Sequence, residues 1–438
     1  MISPLRSGIS HVADHSGSLQ KISPFKPHYL KSLQLVFNQE ALSSDFRPER
    51  VGQLLKLNSH NEWDSLKAVI VGTVEGFAPG LELVGGDPGV LGAAVKIAAR
   101  AYPQWYLDEV AEDLEGLCKL FQQAGASVIR PSWSEKSPLF QTPNWVAAGF
   151  DIYNVRDLHI VFGDTLVVSA PSSRFRLFET YAFHDIFYRH FFEDSLRWIS
   201  APVPRLKGDY IHEIQRPPSD LEAVEDSLHK RLSHGLNQTY HYLDEHEVIF
   251  DAANIIRAGR DVLFLVSSTA NRKAATWLTN VLGSDYRVHV THTYRASHLD
   301  STILPLCPGK VLLNGARVNE HTCPQIFNDW DKMYFTDVAT VPESEVEFHS
   351  AVRLPIYNEL RNLGVESQLA HISSPWAGLN VMSIDPNTVL VHDRQTGLIR
   401  TLEAKGFTVV PVRMRHCYTM LGGLHCTTLD VVRNSSLS

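Results

Sequence analysis

The chain has 438 residues, 44% hydrophobic and 20% charged, which is enough to bury a large core and excludes a disordered or low-complexity polymer. Its formal net charge of -8 offers no overall positive field to collect phosphates, so nucleic acid is excluded as the main partner and any basic patch would be local. No apolar run approaches the ~18 residues of a membrane span, Met1 to Gln20 lacks the apolar middle of a secretory signal, and five widely spaced cysteines fit reduced thiols better than a disulfide framework, so a cytoplasmic location is expected.

In chain order, residues 1–57 mix Ser, Pro, His and basic side chains without periodicity apart from Leu33-Gln34-Leu35-Val36-Phe37, and are read as an N-terminal extension. From Asn58 a pattern recurs: hairpin, helix, strand. Val110, Leu114, Leu117 and Phe121 keep a helical stripe, Gly125 can stop it, and Ser127-Val128-Ile129 reads as a strand. Hairpins are predicted at Leu158 to Phe162 with Thr165 to Ser169, Val248 to Ile256 with Val262 to Val266, Thr302 to Leu306 with Val311 to Leu313, and Leu379 to Ile384 with Val389 to His392. Each is split by a short turn of Gly, Pro, Asn or Asp.

The helix and strand halves return at Ala274 to Leu282 before Tyr286 to Val290, at Tyr357 to Leu363 before Gly364, and at Ile399 to Ala404 before Phe407 to Val410. A copy without the glycine stop runs from Phe178 to Phe192 and on to Trp198-Ile199. A single module buries too little surface to stand alone, so about five are expected to pack as one α/β domain over 58–438, a closed repeat of ββαβ units. Two stretches fall outside the repeat as insertions, near 206–240, with a helix over Ser219 to Leu232 opened by the capping pair Ser219 and Glu222, and near 325–347.

Candidate chemistry gathers at a few positions. Cys426 arrives on the turn Gly422-Gly423-Leu424-His425-Cys426, where glycine permits close approach of backbone to a ligand; a buried core cysteine is its plain alternative. Zinc held by His416, Cys417, His425 and Cys426 is a weaker reading, because adjacent His-Cys pairs lack the usual ligand spacing. Asp251 stands in the apolar segment Phe250-Asp251-Ala252-Ala253, where burial is costly without a partner. His298 precedes Leu299-Asp300, and Asp157 precedes a strand, where taken alone it reads as a solvated turn residue. A thiol on a glycine turn, a histidine beside a carboxylate and aspartates at strand ends are the parts of thiol catalysis on a cationic substrate.

These residues, in this order, resemble the L-arginine amidinotransferase family within the wider guanidino-group-modifying superfamily. The resemblance runs from Asn58-Ser59-His60-Asn61-Glu62-Trp63-Asp64 and Val69-Ile70-Val71-Gly72 through Val155-Arg156-Asp157, Phe250-Asp251-Ala252-Ala253, Arg257-Ala258-Gly259-Arg260-Asp261 and His298-Leu299-Asp300 to Gly422-Gly423-Leu424-His425-Cys426 and Asp430-Val431. It implies a five-module pseudosymmetric α/β-propeller, Cys426 as nucleophile, His298 as general acid/base and Asp251 as its orienting carboxylate. It further implies Asp157 and Asp300 as the guanidinium grip, Arg317 as the partner of the donor's α-carboxylate, no metal or organic cofactor, and dimers as the common assembly.

Two positions depart from the pattern. Leu421 stands where a third glycine is usual, and Ser297, in Arg295-Ala296-Ser297, replaces the methionine of glycine-using enzymes and resembles the cyanobacterial toxin-pathway amidinotransferases. The expected acceptor is therefore a specialised amine of secondary metabolism, with Arg295 facing an acidic group on it or simply solvated. An arginine deiminase-like hydrolase using the same residues is the nearest alternative, and a non-catalytic binding protein a more distant one.

Overall fold

The computed structural model describes residues 55–84, 87–132, 139–194, 196–214, 240–291 and 296–437. Residues 1–54 of the extension and the helix expected over 219–232 lie outside them. Residues 55–438 form one compact unit, and Leu57 at its start is already buried against Ala68 and Val432.

The recurring element is a three-stranded sheet whose middle strand pairs antiparallel with the strand before it and parallel with the strand after it. Four such sheets follow the chain: His159–Phe162, Thr165–Val168 and Arg197–Ser200; Ile255–Ala258, Asp261–Leu265 and Arg287–Thr291; Ile303–Cys307, Lys310–Asn314 and Asp331–Phe335; and Met382–Asp385, Thr388–His392 and Thr408–Val412. The fifth joins the two ends of the unit, since Thr428–Arg433 pairs antiparallel with Leu66–Val71, which in turn pairs parallel with Ser127–Ile129. Hairpin turns are closed by Gly163, Gly259 and Gly309, whose φ values of 58°, 72° and 79° are ones a side chain resists.

Parallel pairing needs a crossover, and helices supply most of them. The helix Gln104–Gln123 buries Tyr106, Val110, Leu114, Leu117 and Phe121, spaced at helical intervals, and each contributes about 1.5–3 kcal/mol relative to exposure. It ends where Gly125 turns to φ 83° and the Ala126 amide donates to the Phe121 carbonyl. Arg272–Leu282 is capped by the Asn271 side chain, which accepts from the Ala274 amide, and is followed by Gly283 at φ 61°.

Burial grades across every sheet. Ile303–Cys307, His159–Phe162 and Thr428–Arg433 are buried at every residue, whereas the outer strands Ser127–Ile129, Arg197–Ser200 and Arg287–Thr291 are half-buried or exposed. The first strand of each repeat therefore belongs to the interior.

The structure departs from the sequence expectation in four places. Val248 to Asn254 is not strand: Phe250 makes isolated bridges to Ala170 and Ala270, and Ala252–Asn254 is a short 3-10 turn. The departure follows from Asp251, whose carboxylate has to reach a partner that a continuous strand would deny it. Asp331–Phe335, inside the stretch read as an insertion, completes the sheet of Lys310–Asn314. The copy at Phe178 begins as a 3-10 helix, Arg174–Phe183, before the helix His184–Asp194.

Finally, the helix Leu354–Asn362 leads into Glu366–Ser367, which joins Ala78–Val84, Trp145–Phe150 and Leu139–Gln141 in a four-stranded sheet outside the repeat. Partners nearly 300 residues apart leave no local pattern to read. No helix among the described residues is long and apolar enough to cross a membrane.

Candidate active site

Each of the five sheets delivers chemistry from one place, the turn just before its first strand. Asp157 precedes His159–Phe162, Asp251 precedes Ile255–Ala258, His298 and Asp300 precede Ile303–Cys307, Asn380 precedes Met382–Asp385, and Cys426 precedes Thr428–Arg433. All six residues line one cavity of about 530 Å³, together with Arg317, Ser297 and Leu421. Arg295 lies outside the described residues.

The turns are bonded to one another as well as to their own strands. The Arg156 amide donates to the Cys426 carbonyl, and the Leu299 amide to that of Ala253. Asn254 Nδ2, Ser267 Oγ and Thr269 Oγ1 all donate to the Ser297 carbonyl at 2.7 Å, which pins the backbone beside His298 and leaves the Ser297 side chain exposed. Asn380 Oδ1 accepts from the amides of His425 and Cys426 at 2.8 and 3.0 Å. The approach is possible because a Cβ on Gly423 would fall 2.7 Å from Asn380 Cβ, and one on Gly422 only 1.8 Å from Asn154 Oδ1. Leu421, by contrast, carries a side chain at φ 60°, a strained setting that costs about 1–2 kcal/mol.

Asp251 finds the partner its burial demands. Its Oδ2 lies 3.0 Å from His298 Nε2, while its Oδ1 accepts from the Ser172 amide at 3.1 Å. The other imidazole nitrogen, Nδ1, lies 3.7 Å from Asp157 Oδ1. Asp157, only 3% exposed and so no solvated turn residue, is held through Oδ2 by Arg176 Nη1 at 2.5 Å, and its Oδ1 has no hydrogen-bond partner. Arg176 is itself fixed by Glu179 and the Asn154 carbonyl. Cys426 Sγ donates to Asp300 Oδ2 at 3.2 Å. Arg317 reaches Thr302 Oγ1 with Nη1 at 2.9 Å.

The thiol and the imidazole stand among carboxylates, and their protonation states follow. Burial alone would lower the His298 pKa, but Asp157, Asp251 and Asp300 outweigh it and push the imidazole up to about 9. Burial, then Asp300 and Asp157, push the Cys426 thiol well above its ordinary range. Burial also raises Asp157, against the opposing pull of His298 and Arg176. Burial would raise Asp300 too, but His425 and His298 overcome it and bring the carboxyl down to about 2. A pocket that keeps protons on both its thiol and its imidazole is short of positive charge.

Beneath the cavity floor the charges are instead saturated. Arg257 donates to both oxygens of Glu62, both of Asp430 and to Ser59; Arg156 donates to Asp430 and to the carbonyls of His425 and Thr428; Arg433 donates to Asp430. The motif residues Glu62, Arg257 and Asp430 thus build the platform under the site. Sequence reasoning did not find Arg176, Asn154, Asn380 or the place of His425; their types carry no spacing signal, although His425 adjoins Cys426. The zinc reading fails on geometry, because His416 lies between Glu345 and Glu109, and His425 between Asp300 and Glu62. Among the described residues no group of three or more His, Cys, Asp and Glu could hold a metal ion.

A buried cysteine, a carboxylate-backed histidine and a pair of aspartates thus share one polar cavity. Residues 291–433 match the family model for arginine deiminase. The inosamine-phosphate amidinotransferase 1 of Streptomyces glaucescens is 35% identical over 387 residues, 86% of this chain and 97% of the relative. An L-arginine:L-lysine amidinotransferase of Pseudomonas savastanoi pv. phaseolicola is 26% identical, over 86% of this chain and 95% of its own. The solved structure of SxtG, an amidinotransferase from Microseira wollei in the saxitoxin biosynthetic pathway, superposes with a TM-score of 0.68 at 27% identity, covering 88% of this chain and 99% of that one. The chain belongs to the amidinotransferase family.

Proposed function

We propose that this protein transfers the amidino group of L-arginine, through a covalent intermediate on Cys426, to a specialised amine other than glycine. The observation that carries the reading is the convergence on one cavity of the Cys426 thiol, the His298–Asp251 pair and a buried, unpartnered Asp157 oxygen. The five sheets close into a propeller around that cavity, with residues 58–438 as the catalytic domain and 1–57 as an extension to it. Support for closure comes from the pairing of the first and last strands and from the graded burial of every sheet.

In this reading the guanidinium enters between Asp157 and Asp300, and Arg317 takes the α-carboxylate, which places the central carbon over Sγ. The substrate cation supplies positive charge beside the carboxylates, so its binding favours loss of the Cys426 proton to solvent and leaves a thiolate beside a still protonated His298. Sγ attacks, and the tetrahedral adduct collapses as His298 gives a proton from Nδ1, the nitrogen turned away from Asp251, to the departing nitrogen. Ornithine leaves and an amidino-thioether remains. The acceptor amine then loses a proton to the same imidazole and displaces Cys426 as thiolate. Every step uses side chains of this protein, with neither metal nor organic cofactor.

The cavity wall beyond the reacting groups is rich in hydroxyls, among them Ser172, Ser268, Thr269, Ser297, Ser301 and Ser373. Such a wall suits a hydroxylated or otherwise polar acceptor, with Ser297 on the acceptor side. The relatives act in the same direction, one being named for an inosamine phosphate and another assigned to saxitoxin biosynthesis.

Intact mass measurement after incubation with arginine alone, with ornithine assayed in parallel and Cys426→Ala as control, tests the proposal. The mass of one amidino group on Cys426 with an equivalent of ornithine is expected, and no adduct in the variant. Continuous citrulline in place of the adduct would establish the hydrolase, the reading that the arginine deiminase match over 291–433 favours. Neither product would overturn both.

A further inference from the structure

Beside the catalytic cysteine stands a second histidine that the mechanism above does not use. The His425 side chain is 2% exposed, and both its ring nitrogens face carboxylates: Nδ1 lies 3.2 Å from Asp300 Oδ2, and Nε2 lies 3.3 Å from Glu62 Oε2. Glu62 is immobilised by three bonds from Arg257 and by an ion pair to Arg156. The Asp300 oxygen that faces His425 is the same one that accepts the Cys426 thiol at 3.2 Å. A continuous buried chain therefore runs from the arginine platform through Glu62, His425 and Asp300 to the sulfur.

We propose that His425 is a positioning residue for the amidino transfer: by donating from Nδ1 to Asp300 Oδ2 it holds that carboxylate, ionised and aimed, between Cys426 and the incoming guanidinium. The proposal rests on the amidinotransferase reading and extends it. The two carboxylates of the guanidinium grip are thereby held by different means. Asp157 leans on Arg176, a fixed cation, whereas Asp300 has no arginine partner among the described residues and takes a donor from the residue next to the nucleophile. Donor and sulfur then sit on adjacent residues of one turn, so any shift of the turn moves Asp300 and Cys426 together. The amides of the same two residues are held by a single atom, Asn380 Oδ1, which removes the remaining freedom of the turn.

The test separates the two ring nitrogens. His425→Asn keeps a donor near the Nδ1 position, and His425→Gln keeps one near Nε2. Each full-length variant is checked for an unchanged far-ultraviolet spectrum, and the ornithine burst with arginine alone is then followed across the acid range. His425→Gln is expected to need about tenfold more arginine for a half-maximal burst, the worth of one charge-assisted hydrogen bond. Its acid limb should move to higher pH and steepen, because Asp300 then titrates beside Asp157. His425→Asn should stay within about threefold of the parent and keep its acid limb.

A second readout needs no turnover. The pH midpoint for iodoacetamide labelling of Cys426, read by peptide mass, should rise in His425→Gln and stay in place in His425→Asn. Equal loss in both variants with an unmoved acid limb and midpoint, or no change in either, would overturn the proposal. If the parent enzyme forms no ornithine, the amidinotransferase reading fails, and the labelling midpoints still decide whether His425 positions Asp300.

Discussion

Two groups of buried charges lie against each other in this molecule and are built on opposite rules. In the platform of Glu62, Asp430, Arg156, Arg257 and Arg433, three guanidinium groups meet two carboxylates, and each of the five side chains is bonded or ion-paired to another of them. In the cavity above it, Asp157, Asp251 and Asp300 crowd around His298 and Cys426, an oxygen of Asp157 is left without a hydrogen-bond partner, and thiol and imidazole both hold their protons. The platform is finished without a ligand, whereas in the mechanism proposed above the cavity is completed by a cation.

The sharpest way to break the contrast is to take one carboxylate from the platform. Asp430→Asn leaves Arg433 and Arg257 without their shared counter-charge, and a loss of about 3–5 kcal/mol in denaturant unfolding is expected. An unfolding midpoint equal to the parent's would show that the platform is not what holds the turns together.

The matching change in the cavity is Asp157→Asn. Arg176 keeps Glu179 and the Asn154 carbonyl, and removal of one of several like charges relieves repulsion, so the unfolding midpoint should hardly move. The first half-reaction should fall by about 10²–10³-fold in kcat/KM for arginine, or about 3–4 kcal/mol of transition-state binding. Similar losses of stability at Asp157 and Asp430 would erase the distinction drawn between the two groups.

A smaller effect is expected from Asp251→Asn, read through pH. The carboxylates raise His298 from an ordinary 6.5 to about 9, so the imidazolium persists to that pH, and its contribution to stability is whole below about 6.5 and lost as pH rises through about 9. As proton donor in the first half-reaction it should impose a fall in kcat/KM at the alkaline end. Removing the Asp251 charge should bring that fall to lower pH, measured by ornithine release over a pH series; an unmoved limb would assign it to another group.

His159 sharpens the comparison from the other side, as a buried polar group with no ligand to wait for. Both ring nitrogens lack hydrogen-bond partners, and the ring packs against Phe183 and Phe187. Burial, with a lesser contribution from the charge of His184, drives its pKa from 6.5 to about 3. The unfolded chain therefore takes up a proton that the folded one refuses. Stability is whole above about pH 6.5 and falls by about 1.4 kcal/mol per pH unit as the pH drops toward 3. His159→Leu should unfold about 1 kcal/mol later at neutral pH and lose part of that acid slope, with no change in arginine turnover.

Much of this architecture was legible in advance because it is local. β-Rich apolar runs on either side of Gly163, Gly259 and Gly309 specify hairpins, and the stripe from Val110 to Phe121 specifies a helix by its period. Cys426, His298, Asp251, Asp157 and Asp300 stand in ordered motifs and Arg317 follows from the family resemblance alone, and all six line one cavity. Asp251 was legible for a further reason, since a carboxylate in an apolar run announces a partner without naming it.

The rest depended on distance. Asp331–Phe335 looked like an insertion because nothing nearby identifies its partner, and the four-stranded sheet joins Glu366–Ser367 to Ala78–Val84 across most of the chain. Arginines and glutamates such as Arg257 and Glu62 look like surface residues until the fold sets Asp430 between them.

What the sequence determined by itself is the hairpin turns, the helical period and the side-chain types carried by the turns at the cavity, because those are consequences of backbone sterics and side-chain chemistry within a few residues. What only the tertiary structure decided is which charges are neutralised and which are left wanting: the same aspartate is platform or grip according to the guanidinium groups that long-range packing brings within about 3 Å of it.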